Sequence, residues 1–447
     1  MVCLVLVVRA WMGLGAPLTR WQQQIPIISI LALLLLRFAG MSRVCREEQA
    51  PYCAPSFYAY QATTKFADNP AYALSGPATN SPYALAAAYL FAFAMADILR
   101  RILKPSHAHL SSASTLLTWI IRPALLGSSG FWLADWVHGL EQLDEATRST
   151  FLVIKIWTAR AVLFLLVAGA WYWYLSPLSL SVLREPTQKR DAPPKVALLG
   201  FGNTFGAAFL LFTSLAFSLL FLLSQPMGQL ALSACFLAMV LIAELGDSER
   251  DARLLAASKM PNAKDLSASP SHAPSLLEIV CIGLLGFVAF FSTGHQATFT
   301  AIQWRVAFVG FPVVTYPWSP LFVVLNAFGP LSILPAFGVV LLTLWNVAPT
   351  RAKVQQEETG HVRPMRLPGD ILRSALGLLL YVGVLTWSAA LWAWFFRRHL
   401  MLFKIWVPRY MMAGLGLLIT DVALLGAVAV AWWIAARTAK AFGTLYT

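Results

Sequence analysis

VALLGFGNTFGAAFLLFTSLAFSLLFL, residues 196–222, admits two readings that lead to opposite folds. Its glycines Gly200, Gly202 and Gly206 imitate the phosphate-binding turn of a dinucleotide fold, which would make the chain a soluble α/β enzyme. That turn requires G-x-G-x-x-G after a strand and ahead of a helix, whereas here the spacing is G-x-G-x-x-x-G and no strand is expected before it. The stretch carries no charged residue, and its length suffices to cross a bilayer as a helix. Gly202 and Gly206, one helical turn apart, then fit a small-residue face for packing against another membrane helix. The membrane reading is the stronger.

The rest of the chain agrees. Of its 447 residues, 58% are hydrophobic and only 12% charged, with a mean hydropathy of +0.67; a soluble domain carries about twice that charge. Apolar runs recur near 24–40, 82–103, 115–134, 152–175, 196–222, 228–245, 275–292, 319–345, 370–394 and 410–436. Each meets the length for a spanning helix, which satisfies its own backbone in hydrocarbon. The expected fold is an all-α polytopic membrane protein of about ten transmembrane helices, forming one multi-span domain over 1–447. The polar stretches 246–274 and 346–369 read as cytosolic linkers. The Tyr- and Pro-rich stretch 41–81 reads as a loop folded over the lumenal helix ends.

A net charge of +13 raises the question of nucleic acid, but topology accounts for it. With both termini in the cytosol, the cytosolic segments hold about twice the Lys and Arg of the opposite side, as the positive-inside rule requires. No nucleic-acid partner is expected.

Five cysteines are too few for a disulfide scaffold. Cys3, Cys235 and Cys281 lie in apolar segments as small buried hydrophobes. Cys45 and Cys53, in the polar loop CREEQAPYC, are candidates for a small-loop disulfide in an oxidising lumen. The opening MVCLVLVVRA is too short to span and lacks the marks of a signal peptide. It reads as the remnant of a longer apolar segment, and the chain as a candidate fragment.

No catalytic triad, Walker loop or metal-ligand cluster appears, so no catalytic or metal residue is assigned. His107 and His109 lie in a Ser-rich loop with no acidic or cysteine neighbour. Charges in or near the spans are the first functional suspects. Asp97 can pair with Arg100 or Arg101 on its own helix. Lys155 and Glu244 read as snorkelling or locally paired, Arg160 lies in the first half of its span, and Asp421 lies too deep for snorkelling.

Two stretches converge on the non-cytosolic face. In FFSTGHQATFTAIQW (290–304), Gly294 frees the backbone to turn, and His295, Gln296 and Trp304 place polar and aromatic groups at the headgroup level. In RRHLMLFKIWVPR (397–409), Arg397, Arg398, Lys404 and Arg409 violate the positive-inside bias, with His399 among them, which suggests a use such as holding phosphate. The interleaved Leu400, Phe403 and Trp406 let this stretch lie along a membrane surface. His295, Gln296, Trp304, Arg397, Arg398, His399 and Lys404 are therefore candidate lipid- or glycolipid-binding residues. A purely structural cap on its own helix end is the alternative for His295.

FFSTGHQATFTAIQWRVAFVGF, followed downstream by RRHLMLFKIWVPRY, resembles the membrane region of the GPI ethanolamine phosphate transferase family, most closely the third-mannose (PIG-O-like) type. The CREEQAPYC loop and the EPTQKRDAPPKVALLGFGNTFGAAF lead-in to the fifth span resemble it too. The resemblance implies an endoplasmic reticulum enzyme that moves phosphoethanolamine from phosphatidylethanolamine to a mannose of the GPI precursor. It implies a lumenal catalytic domain with a threonine nucleophile and metal ions, zinc being expected, and a PIG-F-type membrane subunit as partner. That domain would precede residue 1, so no catalytic residue transfers to this chain, and no cofactor is expected in it. Two other readings stay open. One is a polytopic transporter or channel, for which related halves and broken helices would be expected. The other is a stand-alone, non-catalytic membrane subunit.

Overall fold

The computed structural model describes residues 20–41, 82–140, 143–185, 195–258, 273–296, 302–349, 367–399 and 402–445. The loop with Cys45 and Cys53 lies outside the described residues, as do Cys3 and most of both expected linkers.

Among the described residues, each expected span meets one helical segment. These are α1 (Arg20–Met41), α2 (Pro82–Leu103), α3 (Ser112–His138), α4 (Glu145–Leu175), α5 (Thr204–Leu223), α6 (Pro226–Ser258), α7 (Leu276–Ser292), α8 (Trp318–Leu344), α9 (Leu367–Phe395) and α10 (Val407–Leu445). Seven segments are long and apolar enough to cross a membrane, and Pro26–Gly40 and Leu276–Ser292 are shorter apolar helices. The protein is an all-α, multi-span membrane protein.

The helices sort into inner and outer members. In the apolar stretches of α5, α6 and α8, 83%, 94% and 89% of residues are buried, against 17% in α4 and in α9. Helices that are apolar all round belong in a core or in lipid, and this bundle uses both. Trp157, Phe164, Val167 and Trp171 of α4 and Leu380, Val384 and Trp387 of α9 stand exposed, forming the surface that lipid covers.

Close packing inside follows from missing side chains. A Cβ on Gly338 of α8 would lie 2.9 Å from Ile282 of α7 and 3.0 Å from the Met239 sulfur of α6. Several side-chain hydroxyls in the interior bond back to their own helix, as Thr213 does to Phe209 O, Ser218 to Ser214 O and Ser233 to Gln229 O. No buried donor is stranded by these residues.

Three features depart from the sequence reading. First, a strand does precede the glycine run. Ser181–Glu185 (β1) pairs antiparallel with Lys195–Leu199 (β2), from Ser181↔Leu199 to Glu185↔Lys195. Val182 and Val196 are strand formers, and Val196 sits inside the apolar run 196–222 that disguised the second strand. The dinucleotide reading still fails, because an antiparallel hairpin is not the parallel unit that such a turn serves. Gly200 has φ +87°, and a Cβ there would lie 2.3 Å from Ser179 O, so it is a turn glycine. Gly206 packs as expected, its Cβ site lying 2.8 Å from Leu344 O, but Gly202 faces open space.

Second, α6 continues as helix through 246–258, residues the sequence reading gave to a linker. Asp247 and Arg250, 3.5 Å apart on successive turns, support that extension. Third, α3 and α8 are not broken near their prolines Pro123, Pro330 and Pro335: π turns, Leu117–Ile121 and Gly329–Ile333, lie beside or around them inside helices that carry on. A π turn absorbs the donor that proline lacks, so these helices are not unwound.

The intramembrane charges are mostly paired. Asp97 of α2 meets Arg122 of α3 and lies 3.6 Å from Arg100; Arg101 forms no ion pair with it. Lys155 of α4 lies 2.9 Å from Asp135 of α3. Arg160 donates through Nε to Gly310 O at 2.9 Å. Glu244 accepts from the Trp345 indole at 2.6 Å. The Oδ1 of Asp421 is buried without a hydrogen-bond partner among the described residues.

Candidate functional site at one end of the bundle

The TGHQ stretch is built first as a helix stop. Helix α7 ends in a reversal in which Gly294, at φ +86°, takes the left-handed conformation. Its N–H donates to Phe291 O, and the His295 N–H reaches back to Phe290 O, both at 3.2 Å. This is the paired-bond pattern that closes a helix on a glycine.

His295 then folds inward. Its ring stacks on Phe290 with centroids 5.3 Å apart. Nδ1 lies 3.0 Å from Thr293 Oγ1 and Nε2 3.0 Å from Asn326 Oδ1. Asn326, on α8, donates through Nδ2 to Leu223 O at 2.8 Å, which turns its Oδ1 towards the histidine and places a proton on Nε2. The Gln303 amide donates to Thr293 O at 2.8 Å, tying the following loop to the helix end. Only 4% of His295 is exposed. This geometry joins the end of α7 to α8 and, through Asn326, to the end of α5. Gln296 is half-buried beside it, and Trp304 is 65% exposed.

The segment 397–409 is arranged in the opposite sense. Trp392 and Phe396 from the end of α9 stack with Trp406 from the turn before α10. Phe396 and Trp406 lie 4.7 Å apart and within 8° of parallel, and Trp392 and Phe396 lie 5.4 Å apart. This three-ring stack clamps the α9–α10 connection. Around it Arg397, Arg398, His399, Lys404 and Arg409 are all exposed. Arg397 lies over the Trp394 ring at 5.3 Å and Arg409 over Trp406 at 5.6 Å. Among the described residues none of these four Arg and Lys side chains has a carboxylate partner. The arrangement is a cationic, aromatic shelf that can hold an anion at the depth where aromatic rings anchor in a membrane.

Both features lie at one end of the bundle. Phe290, which stacks on His295, shares a buried cluster with Met412 near the start of α10. The structure thus brings the two sequence-predicted stretches to the same end, with His295 turned in and the cations turned out.

Sequence reasoning missed Asn326. The available signal was a lone amide in the apolar run LFVVLNAF, where an unpaired polar group would be costly. Among the described residues no group of three His, Cys, Asp or Glu side chains could hold a metal ion. His107 and His109 lie with ring centroids 6.4 Å apart.

Comparison with known proteins decides the relationship. Over 398 residues, 89% of this chain, it is 28% identical to a protein of Eremothecium gossypii. Over 411 residues, 91% of the chain, it is 27% identical to one of Saccharomyces cerevisiae. The chain is related to GPI ethanolamine phosphate transferase 3. A human GPI ethanolamine phosphate transferase 3, catalytic subunit, is 28% identical over 285 residues, 58% of the chain. The chain spans about a third of the length of the fungal transferases, 34% and 35%, and matches their C-terminal part. No family model and no solved structure matches it.

Proposed function

We propose that this chain is the membrane region of an enzyme of GPI-anchor assembly, one that transfers phosphoethanolamine from phosphatidylethanolamine to the third mannose of the GPI precursor in the endoplasmic reticulum membrane. The similarity to GPI ethanolamine phosphate transferase 3 along nine-tenths of the chain carries this reading. In it the helical bundle handles the two lipids and binds a PIG-F-type membrane subunit, and the transfer chemistry belongs to a catalytic domain outside these residues.

The shelf supports a lipid-handling role. Both proposed substrates carry phosphate, and Arg397, Arg398 and Lys404 are exposed cations available to pair with it. Helices that continue through their π turns favour a fixed platform over a transporter, whose sites form at unwound helices.

Disruption of the gene, followed by mass spectrometry of lipid-linked GPI precursors, tests the reading. Precursors lacking phosphoethanolamine on the third mannose should accumulate, and the intact gene should clear them. An unchanged precursor profile would overturn it. An immunoblot against the tail ARTAKAFGTLYT (436–447) separates the stand-alone subunit from the transferase. A band well above 49.1 kDa places this region in a longer enzyme, and a band at that mass alone favours the separate subunit.

A further inference from the structure

Helices α7, α8, α9 and α10 enclose a groove beside the shelf. Its cavity volume is about 100 Å³, within a wider space of about 700 Å³ that includes the open surroundings. Phe287 and Phe291 of α7, Pro335 of α8, Leu378 and Leu385 of α9 and Met412 of α10 form its walls.

Three of the four hydroxyls on those walls, the Tyr381 phenol being the fourth, are already spent. Ser332 donates to Gly416 O at 3.2 Å and Thr420 to the same carbonyl at 2.7 Å. Thr386 lies within bonding reach of Val382 O at 3.0 Å and Ala413 O at 3.2 Å. With these hydroxyls turned to backbone oxygens, the wall offers water little and presents hydrocarbon. One charged residue, Arg409, lines the groove. It is exposed and lacks a carboxylate partner among the described residues. The helical run that bears it starts at Leu402 and has no acidic residue in its first turn. The positive end of that helix, Lys404 and Arg409 therefore all favour an anion at the rim.

We infer that this groove seats one acyl chain of a diacyl phospholipid, whose phosphate is held at the rim by Arg409. An apolar slot for the tail and a cation for the headgroup, joined at the membrane surface, match a phospholipid better than a neutral lipid or a free phosphate. The inference deepens the lipid-handling reading and rests on it only for the lipid's use. The groove and its cation stand without it.

The test uses the full chain, purified with its native partners and reconstituted in nanodiscs. The probe is a phosphatidylethanolamine with a photoactivatable group near the end of one acyl chain. Crosslinks should map to 287–291 and 412–416, and unlabelled phosphatidylethanolamine should compete roughly tenfold better than diacylglycerol, which lacks the phosphate. Arg409→Gln should abolish that preference while Arg409→Lys keeps it. Gly416→Leu should reduce labelling severalfold, because a Cβ there meets no atom closer than 3.6 Å and the added side chain has room to fill the slot. Equal competition by diacylglycerol, or a preference untouched by Arg409→Gln, would overturn the phosphate contact. Crosslinks spread evenly over the outer faces of α4 and α9 would mean ordinary boundary lipid and overturn the groove. A positive crosslink with an unchanged GPI precursor profile would sink the transferase reading alone.

Discussion

Nε2 of His295 lies 3.0 Å from Oδ1 of Asn326, and Asn326 is itself held from behind by its 2.8 Å bond to Leu223 O. Three helices are thus linked through one imidazole and the amide beside it. Thr293 completes the arrangement. Its hydroxyl can donate to Ala289 O at 2.8 Å while accepting from Nδ1, or donate to Nδ1 directly. Either protonation state of the ring is therefore satisfied.

His295→Ala strands the Asn326 carbonyl oxygen in the interior. The expected cost is about 1–2 kcal/mol, the usual penalty for a lost buried partner. His295→Ala and Asn326→Leu together should cost less than the sum of the two, because the second removes the orphan that the first creates. Thermal unfolding of detergent-solubilised variants checks this, and strictly additive losses would count against the contact.

Lys155 and Asp135 join α4, the most lipid-exposed helix of its neighbourhood, to α3. Their side chains are 14% and 19% exposed. Lys155→Met leaves a carboxylate nearly buried at the helix interface, and should destabilise by less than the roughly 3–5 kcal/mol of a fully buried pair. Lys155→Met with Asp135→Leu should recover most of the loss. Urea or thermal denaturation of the four proteins of the cycle reads the coupling.

Gly206 and Gly202 stand in one motif and should behave differently. A Cβ on Gly206 would lie 2.3 Å from Asn203 Oδ1 and 2.8 Å from Leu344 O. Gly206→Val should therefore cost about 1–3 kcal/mol or more through overpacking. Gly202→Ala meets open space and should be close to neutral. Comparable losses at both positions, in melting temperature or expression level, would contradict the packing described here.

The shelf residues should matter for function and little for folding. Arg397→Gln, Arg398→Gln and Lys404→Gln together should lower addition of phosphoethanolamine to GPI precursors by about tenfold or more in rescued cells, the effect of losing charge-assisted contacts to phosphate. Protein level should stay within about twofold, since exposed charges contribute little to stability. Full rescue would remove the shelf from the mechanism.

Much of the architecture was legible because hydrocarbon imposes one rule: a spanning segment must satisfy its own backbone, so length and apolarity alone mark the helices. The ten apolar runs needed no knowledge of packing. The aromatic and basic run at 397–409 stood out for a related reason, since four cations among aromatic residues between apolar runs are conspicuous in any sequence. The β1–β2 hairpin was hidden because its second strand, Lys195–Leu199, runs straight into the apolar stretch of α5, and only pairing with 181–185 separates the two.

What the sequence could not decide is which way each polar group turns. His295 read either as a headgroup-level group like Gln296 and Trp304 or as a cap on its own helix end, and only the structure shows Asn326, 31 positions away, bonded to the inward-turned ring. Asp97 pairs with Arg100 of its own helix, as the spacing allows, but its shorter contact is with Arg122 of the next one. The groove by Arg409 exists in no single helix, because its walls come from four. Composition and periodicity determine that such helices form and where they end. Which faces meet, and what space is left between them, depends on side chains distant in sequence being brought together by packing.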